Sequence, residues 1–179
     1  RHARATRMIL AIDAGNSRVK WGWHDGRVWS SLATVSLIEF AAANHDINPF
    51  AVTHENPERI VISNVAGEGA HQLVVNWTSI FDADPFWLKG EAERCGVTSR
   101  YENPGQLGSD RWAALVAARA LHPGACLVVN AGTATTADLL SADGEFLGGL
   151  ILPGVDLMRF VLHEHTGRLP LQEGRFVRT

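Results

Sequence analysis

Three short stretches carry residue types suited to handling a phosphoryl group. The first is Asp13-Ala14-Gly15-Asn16-Ser17, followed by Lys20. Small residues in a turn expose backbone N–H groups, and such N–H groups make a concavity for anions. Asn16, Ser17 and Lys20 could meet phosphate oxygens there. Asp13 could hold a magnesium ion, since Mg²⁺ takes one or two carboxylates and keeps several waters. The second stretch, Asn130-Ala131-Gly132-Thr133-Ala134, echoes the first. The third is Gly108-Ser109-Asp110-Arg111. An acid in a first helical turn is favoured by the helix dipole, and a carboxylate at a cleft can take a hydroxyl proton. Arg111 could grip a substrate carboxylate with two parallel hydrogen bonds. Each stretch also has a plain structural reading: the first two as good hairpin chemistry, the third as a capped helix start.

These residues need elements that present them. An apolar run over 8–12 ends in Asp13, and Val19, Trp21 and Trp23 alternate with Lys20, Gly22 and His24, so the first motif sits at the tip of a β-hairpin. Asp25-Gly26 is a two-residue turn signal that leads to a third antiparallel strand over 27–32. Ser36 could cap a short helix, and 44–56 reads as loop. A continuous apolar run over 58–66 suits a strand covered on both faces. Helical spacing over 67–81 and a short strand over 85–88 complete a crossover to a parallel portion of the sheet. The stretch 91–106 lacks periodicity and reads as a long functional loop. Ser109 caps a helix over 110–121, which Pro123-Gly124 stops.

The opening theme then repeats. Strands over 125–130, 134–140 and 146–152 are joined by the second glycine turn and by Asp143-Gly144, and a helix over 155–163 follows. The order of elements implies an internal duplication and two lobes, 1–122 and 123–179. The C-terminal lobe, with three strands and one helix, reads as incomplete.

Composition narrows the function. Of 179 residues 46% are hydrophobic and 20% charged, ordinary for a globular chain. A net charge of −3 gives no footprint for nucleic acid. No apolar run reaches the roughly 18 residues of a membrane span, and the run at 8–12 turns acidic too soon for a signal peptide, so the expectation is a cytoplasmic protein with no membrane partner. Cys95 and Cys126 show no metal-ligand spacing. His163-Glu-His165 resembles a metal pair, but ends a helix and is read as non-ligating. The phosphate loops GxxxxGK[ST] and GxGxxG are both absent.

Taken in order, Asp13-x-Gly-Asn-Ser17, Gly108-x-Asp-Arg111, Gly132-Thr-Ala-x-Thr136 with Asp138, and Gly148-Gly-Leu-Ile-x-Pro-Gly154 resemble the type III pantothenate kinases, a family that includes the Bvg accessory factor proteins. The resemblance implies an α/β fold of two duplicated ribonuclease-H-like lobes of the acetate-and-sugar-kinase/Hsp70/actin type. It implies ATP-dependent phosphorylation of pantothenate to 4′-phosphopantothenate, the first step of coenzyme A synthesis. Mg²⁺, a monovalent cation (K⁺ or NH₄⁺) and a homodimer are implied with it. By position, Asp13, Gly15, Asn16 and Ser17 match the first phosphate motif and Gly132, Thr133 and Ala134 the second. Asp110 matches the catalytic base, and Tyr101, Gly108 and Arg111 match pantothenate-binding positions. The family usually has Asp where this chain has Asn130, a position associated with the monovalent cation; Asn keeps an oxygen ligand and loses the charge. Two alternatives stand beside this reading: a regulator acting through protein contacts, and a kinase of the same fold acting on a sugar or acetate.

Overall fold

The computed structural model describes residues 8–42 and 56–171. The loop expected at 44–56 lies, but for its last residue, outside them.

The first sheet forms because its opening strands alternate cleanly. Strand β1, Ile9–Ala14, buries Leu10, Ile12 and Ala14 on one face and leaves Asp13 on the other. It pairs antiparallel with β2, Arg18–His24, placing Asp13 opposite Lys20. Asp25 closes the next turn by accepting the backbone N–H groups of Arg27 and Val28, both at 2.8 Å, while Gly26 takes φ +91°. Strand β3 runs from Trp29 to Ser36, beyond the expected span. A register shift opposite Trp21 and Trp23, with Ser31 at φ +52°, lets this edge strand continue through 33–36, where Val35 packs against the core.

Ser36 and Glu39 form a reciprocal cap on helix α1, Leu37–Ala42: the Ser36 hydroxyl accepts the Glu39 N–H at 3.1 Å, and the Glu39 carboxylate accepts the Ser36 N–H at 3.1 Å. Hydrogen bonds from Ser36 hold the Glu39 carboxyl below its ordinary value, the hydroxyl contributing most. Strand β4, Arg59–Asn64, pairs parallel with β1. Helix α2, Gly67–Thr78, crosses over to β5, Pro85–Trp87, which pairs parallel with β4. The sheet order is β3-β2-β1-β4-β5. Its core gathers Leu10, Ile12, Val19, Trp21, Trp23, Ile60, Ile62 and Val74, with Phe40 and Trp77 edge-on at 5.0 Å.

The stretch 91–106 is more ordered than expected. It holds a hairpin, β6 (Glu93–Arg94) and β7 (Val97–Ser99), whose turn residues Cys95 and Gly96 both take positive φ. A single 3-10 turn, Pro104–Gln106, follows. The hairpin is too short to show periodicity in sequence, and Cys-Gly is not a usual turn pair.

Helix α3, Ser109–Leu121, starts from Gly108, with no side-chain cap. Ser109 is therefore not the cap that its position suggests. Its hydroxyl lies 3.0 Å from that of Ser63 on β4, tying the helix start to the first sheet.

The second sheet has the order β6-β7-β10-β9-β8. Strands β8 (Cys126–Ala131), β9 (Ala134–Leu140) and β10 (Glu145–Pro153) repeat the antiparallel meander of β1 to β3, and α4, Val155–His165, follows as α1 follows β3. The duplication inferred from element order is thus a repeat of topology. By hydrogen bonding the hairpin at 93–99 joins this sheet, on the β10 edge. Val97, Leu107, Trp112, Leu115, Leu140 and Phe146 form its core against α3.

Candidate active site

The two glycine turns come together. The Ser17 hydroxyl lies 2.6 Å from that of Thr133, across 116 residues of sequence. The turns are built alike. In the first, the Gly15 N–H donates to Arg18 O at 3.0 Å; in the second, the Gly132 N–H donates to Ala134 O at 3.0 Å. The Ser17 carbonyl accepts the first N–H of α1, Leu37, at 2.9 Å, and the Thr133 carbonyl accepts the N–H of Gly154, just ahead of α4, at 2.8 Å. Gly154 must be glycine here, because a Cβ would stand 2.7 Å from the Thr133 carbonyl oxygen. Structurally, then, Ser17 corresponds to Thr133. The second turn is the shorter: Ala14 faces Val19 across Gly15, Asn16, Ser17 and Arg18, whereas Ala131 faces Thr135 across Gly132, Thr133 and Ala134.

Asp13 lies near the end of β1 with its side chain 41% exposed, and its Oδ2 lies 3.5 Å from Lys20 Nζ. An exposed pair at that distance holds weakly, so both groups remain available to an incoming ligand. The equivalent position on β8, Asn130, donates from its amide nitrogen to the Thr136 hydroxyl at 3.3 Å, leaving the carbonyl oxygen as the atom a cation would meet. Asn16 and Ser17 are exposed beside Asp13.

Asp110 reaches the same region from α3. Register places Ser63 beside Asp13 across the β1–β4 pairing, and Ser63 touches Ser109, the residue before Asp110. Asp110 is exposed, and its carboxylate folds back to accept the Arg111 N–H at 2.7 Å. Gly108 makes room for it, since a Cβ there would lie 2.7 Å from Asp110 Oδ1.

Arg111 is placed less simply. It is buried, and its guanidinium meets the fully buried carboxylate of Asp138 on β9, with Nε 3.1 Å from Oδ2 and a second, shorter contact from Nη2 to Oδ1. The Asp138 carboxylate raises the Arg111 pKa above the ordinary guanidinium value; burial opposes this, and Tyr101 adds to the rise. Tyr101 packs on Phe146 with ring centroids 5.3 Å apart. In sequence Asp138 is one position of a motif, with no role of its own. The signal is there all the same: an acid at an inward-facing position of an apolar strand is a buried charge, and buried charges are paired.

Among the described residues no group of three or more His, Cys, Asp or Glu side chains could hold a metal ion. His163 Nδ1 meets the Leu169 carbonyl at 2.8 Å. No helix among the described residues is long and apolar enough to cross a membrane.

The fold these sheets define is shared with solved proteins of the actin/Hsp70/sugar-kinase class. The ethanolamine utilization protein EutJ from Carboxydothermus hydrogenoformans superposes with a TM-score of 0.54 at 12% identity, covering 92% of this chain and 58% of that one. A candidate 2-dehydro-3-deoxygalactonokinase from Sinorhizobium meliloti gives 0.56 at 20%, covering 89% and 57%. At these identities the likeness shows the fold alone.

Sequence narrows the class to one family. The model of the type III pantothenate kinases matches residues 9–177, and the chain belongs to that family. The type III pantothenate kinase of Aromatoleum aromaticum is 49% identical over 170 residues, covering 95% of this chain and 69% of the relative. That of Nitrosospira multiformis is 48% identical over 172 residues, covering 94% and 63%. The chain thus spans roughly two thirds of the length of these curated relatives.

Proposed function

We propose that the protein transfers the γ-phosphoryl group of ATP to the primary hydroxyl of pantothenate, giving 4′-phosphopantothenate and ADP. The observation that carries this reading beyond family membership is the meeting of the two glycine turns through Ser17 and Thr133. A phosphate chain held between them would have donors on both sides, and phosphoryl transfer depends on such positioning and charge neutralisation. In this reading Gly15, Asn16, Ser17 and Lys20 hold phosphate oxygens from one side, and Gly132, Thr133 and Ala134 from the other. Asp110 accepts the hydroxyl proton, the freed oxygen attacks the γ-phosphorus, and the bond to the β-bridging oxygen breaks.

Asp13 fits a magnesium ion, because its half-exposed carboxylate has only a weak lysine contact and Mg²⁺ needs few protein ligands. When bound, the ion would neutralise phosphate charge. The Asn130 carbonyl oxygen would serve a monovalent cation. Tyr101, Gly108 and Arg111 would hold pantothenate. Two lobes, 1–122 and 123–179, remain the proposed division, with the hairpin at 93–99 lending strands to the second. A cytoplasmic homodimer completes the proposal, on the strength of the family resemblance.

The test is ADP release by the full-length protein with ATP and pantothenate, with K⁺, NH₄⁺ and Na⁺ in turn. Pantothenate-dependent turnover is expected with at least one cation. Its absence under all three overturns the reading.

A further inference from the structure

We propose that Asp138 is a positioning residue for the acid end of the substrate, holding Arg111 by one edge so that its other edge faces the ligand. The inference rests on the pantothenate kinase reading and deepens it. Asp138 is fully buried, and Arg111 is 8% exposed. Burying an ion pair carries a large desolvation cost, and apolar residues of the same volume often serve stability as well or better. Stability alone is therefore a weak account of this pair.

The geometry gives a stronger one. A guanidinium has five N–H donors arranged along distinct edges. Asp138 takes the edge formed by Nε and Nη2: Nε lies 3.2 and 3.1 Å from its two oxygens, and Nη2 contacts Oδ1. Asp138 leaves the end-on fork of Nη1 and the outer Nη2 donor, the edge that matches a carboxylate, and Tyr101 also hydrogen-bonds with the guanidinium. The flexible arginine is fixed on its remaining sides as well. Its Cζ lies 5.9 Å from the Phe146 ring centroid, and Tyr101 is close enough to act on its charge.

Gly149 shows that the pair packs directly against the backbone of β10. It lies directly across from Asp138 in the β9–β10 register. A Cβ at Gly149 would run into Asp138 Oδ1 and lie 2.9 Å from Arg111 Nη2 and 2.6 Å from Ala137 O. Gly149 is itself exposed, so a residue without a side chain is what covers the buried pair on that side. A guanidinium already neutralised by Asp138 would take a carboxylate by hydrogen-bond geometry more than by net charge. That arrangement selects a planar acid group over other anions.

Steady-state kinetics on the full-length protein test this. Asp138→Asn keeps the shape and removes the charge that orients Arg111. The KM for pantothenate should rise about tenfold or more, the loss expected when one charge-assisted contact is misplaced. The KM for ATP should stay within about twofold. Because Asp138 acts through Arg111, the same change in an Arg111→Gln background should add no further rise. An unchanged pantothenate KM, an equal rise in both KM values, or an additive effect in that background overturns the proposal. If Asp138→Asn does not fold, Asp138→Glu keeps the buried charge and shifts it by one methylene. It should raise the pantothenate KM alone, and an unchanged value overturns the proposal. Wild-type protein with no pantothenate-dependent turnover overturns the kinase reading itself, a distinct outcome.

Discussion

The two glycine turns have the same construction and different chemistry. Each closes an antiparallel strand pair, and each has its hydroxyl residue's carbonyl held by an N–H at the start of the helix that follows the third strand. Yet the first carries a carboxylate beside a lysine, Asp13 and Lys20. The second carries an amide beside a hydroxyl, Asn130 and Thr136. One turn brings charge to the cleft and the other brings only dipoles. Duplication supplied matching frames, and the side chains on them diverged towards a charged side and a neutral side.

Substitutions can break or sharpen this contrast. The largest effect should come from the residue that belongs to neither turn. Asp110→Asn removes the proposed base, and kcat should fall by about 10²-fold or more with the KM for ATP little changed; near-normal turnover would show that the base is elsewhere. Next is Asp13→Asn, which makes the first turn neutral like the second. The Mg²⁺ concentration giving half-maximal rate should rise on the order of tenfold, since the charged ligand proposed for the ion is lost. An unchanged Mg²⁺ titration would remove the distinction between the turns. The reverse change, Asn130→Asp, should alter the ratio of rates in K⁺ and Na⁺ by a few-fold, about 1 kcal/mol or less. The smallest effects belong to the shared contact. Ser17→Ala and Thr133→Ala should each cost about 0.5–1.5 kcal/mol in kcat/KM for ATP, and the double variant should cost little more than either alone. Full additivity would mean that the two hydroxyls work independently.

Much of this is readable in the sequence because local signals agree with the fold. Alternation sets the faces of β1 and β2, Asp25-Gly26 and Asp143-Gly144 mark turns between strands, and the glycine turns announce themselves by residue type. What is not readable depends on distant partners. Ser109 has the residue type of a cap, and only the arrival of Ser63 gives it a different use. Arg111 has the residue type to grip a substrate, and only β9 brings Asp138 to it. The correspondence of Ser17 with Thr133 is hidden because the second turn is shorter. Aligning the two motifs residue by residue sets Ser17 against Ala134 instead.

The hydroxyl pair that joins the turns has a further consequence. It is exposed, and an exposed neutral hydrogen bond contributes only about 1 kcal/mol. The two apolar cores, by contrast, are separately packed around Trp23 and around Trp112. Parting the turns would leave both cores intact, so the mouth of the cleft can open thermally without any unfolding of the sheets. Taken by itself, a contact of about 1 kcal/mol would be parted in more than a tenth of the molecules, while the buried Ser63–Ser109 pair keeps α3 tied to the first sheet. Nucleotide entry and departure would then draw on a standing population, and amides of the turns should exchange with solvent far faster than those of β1 and β4.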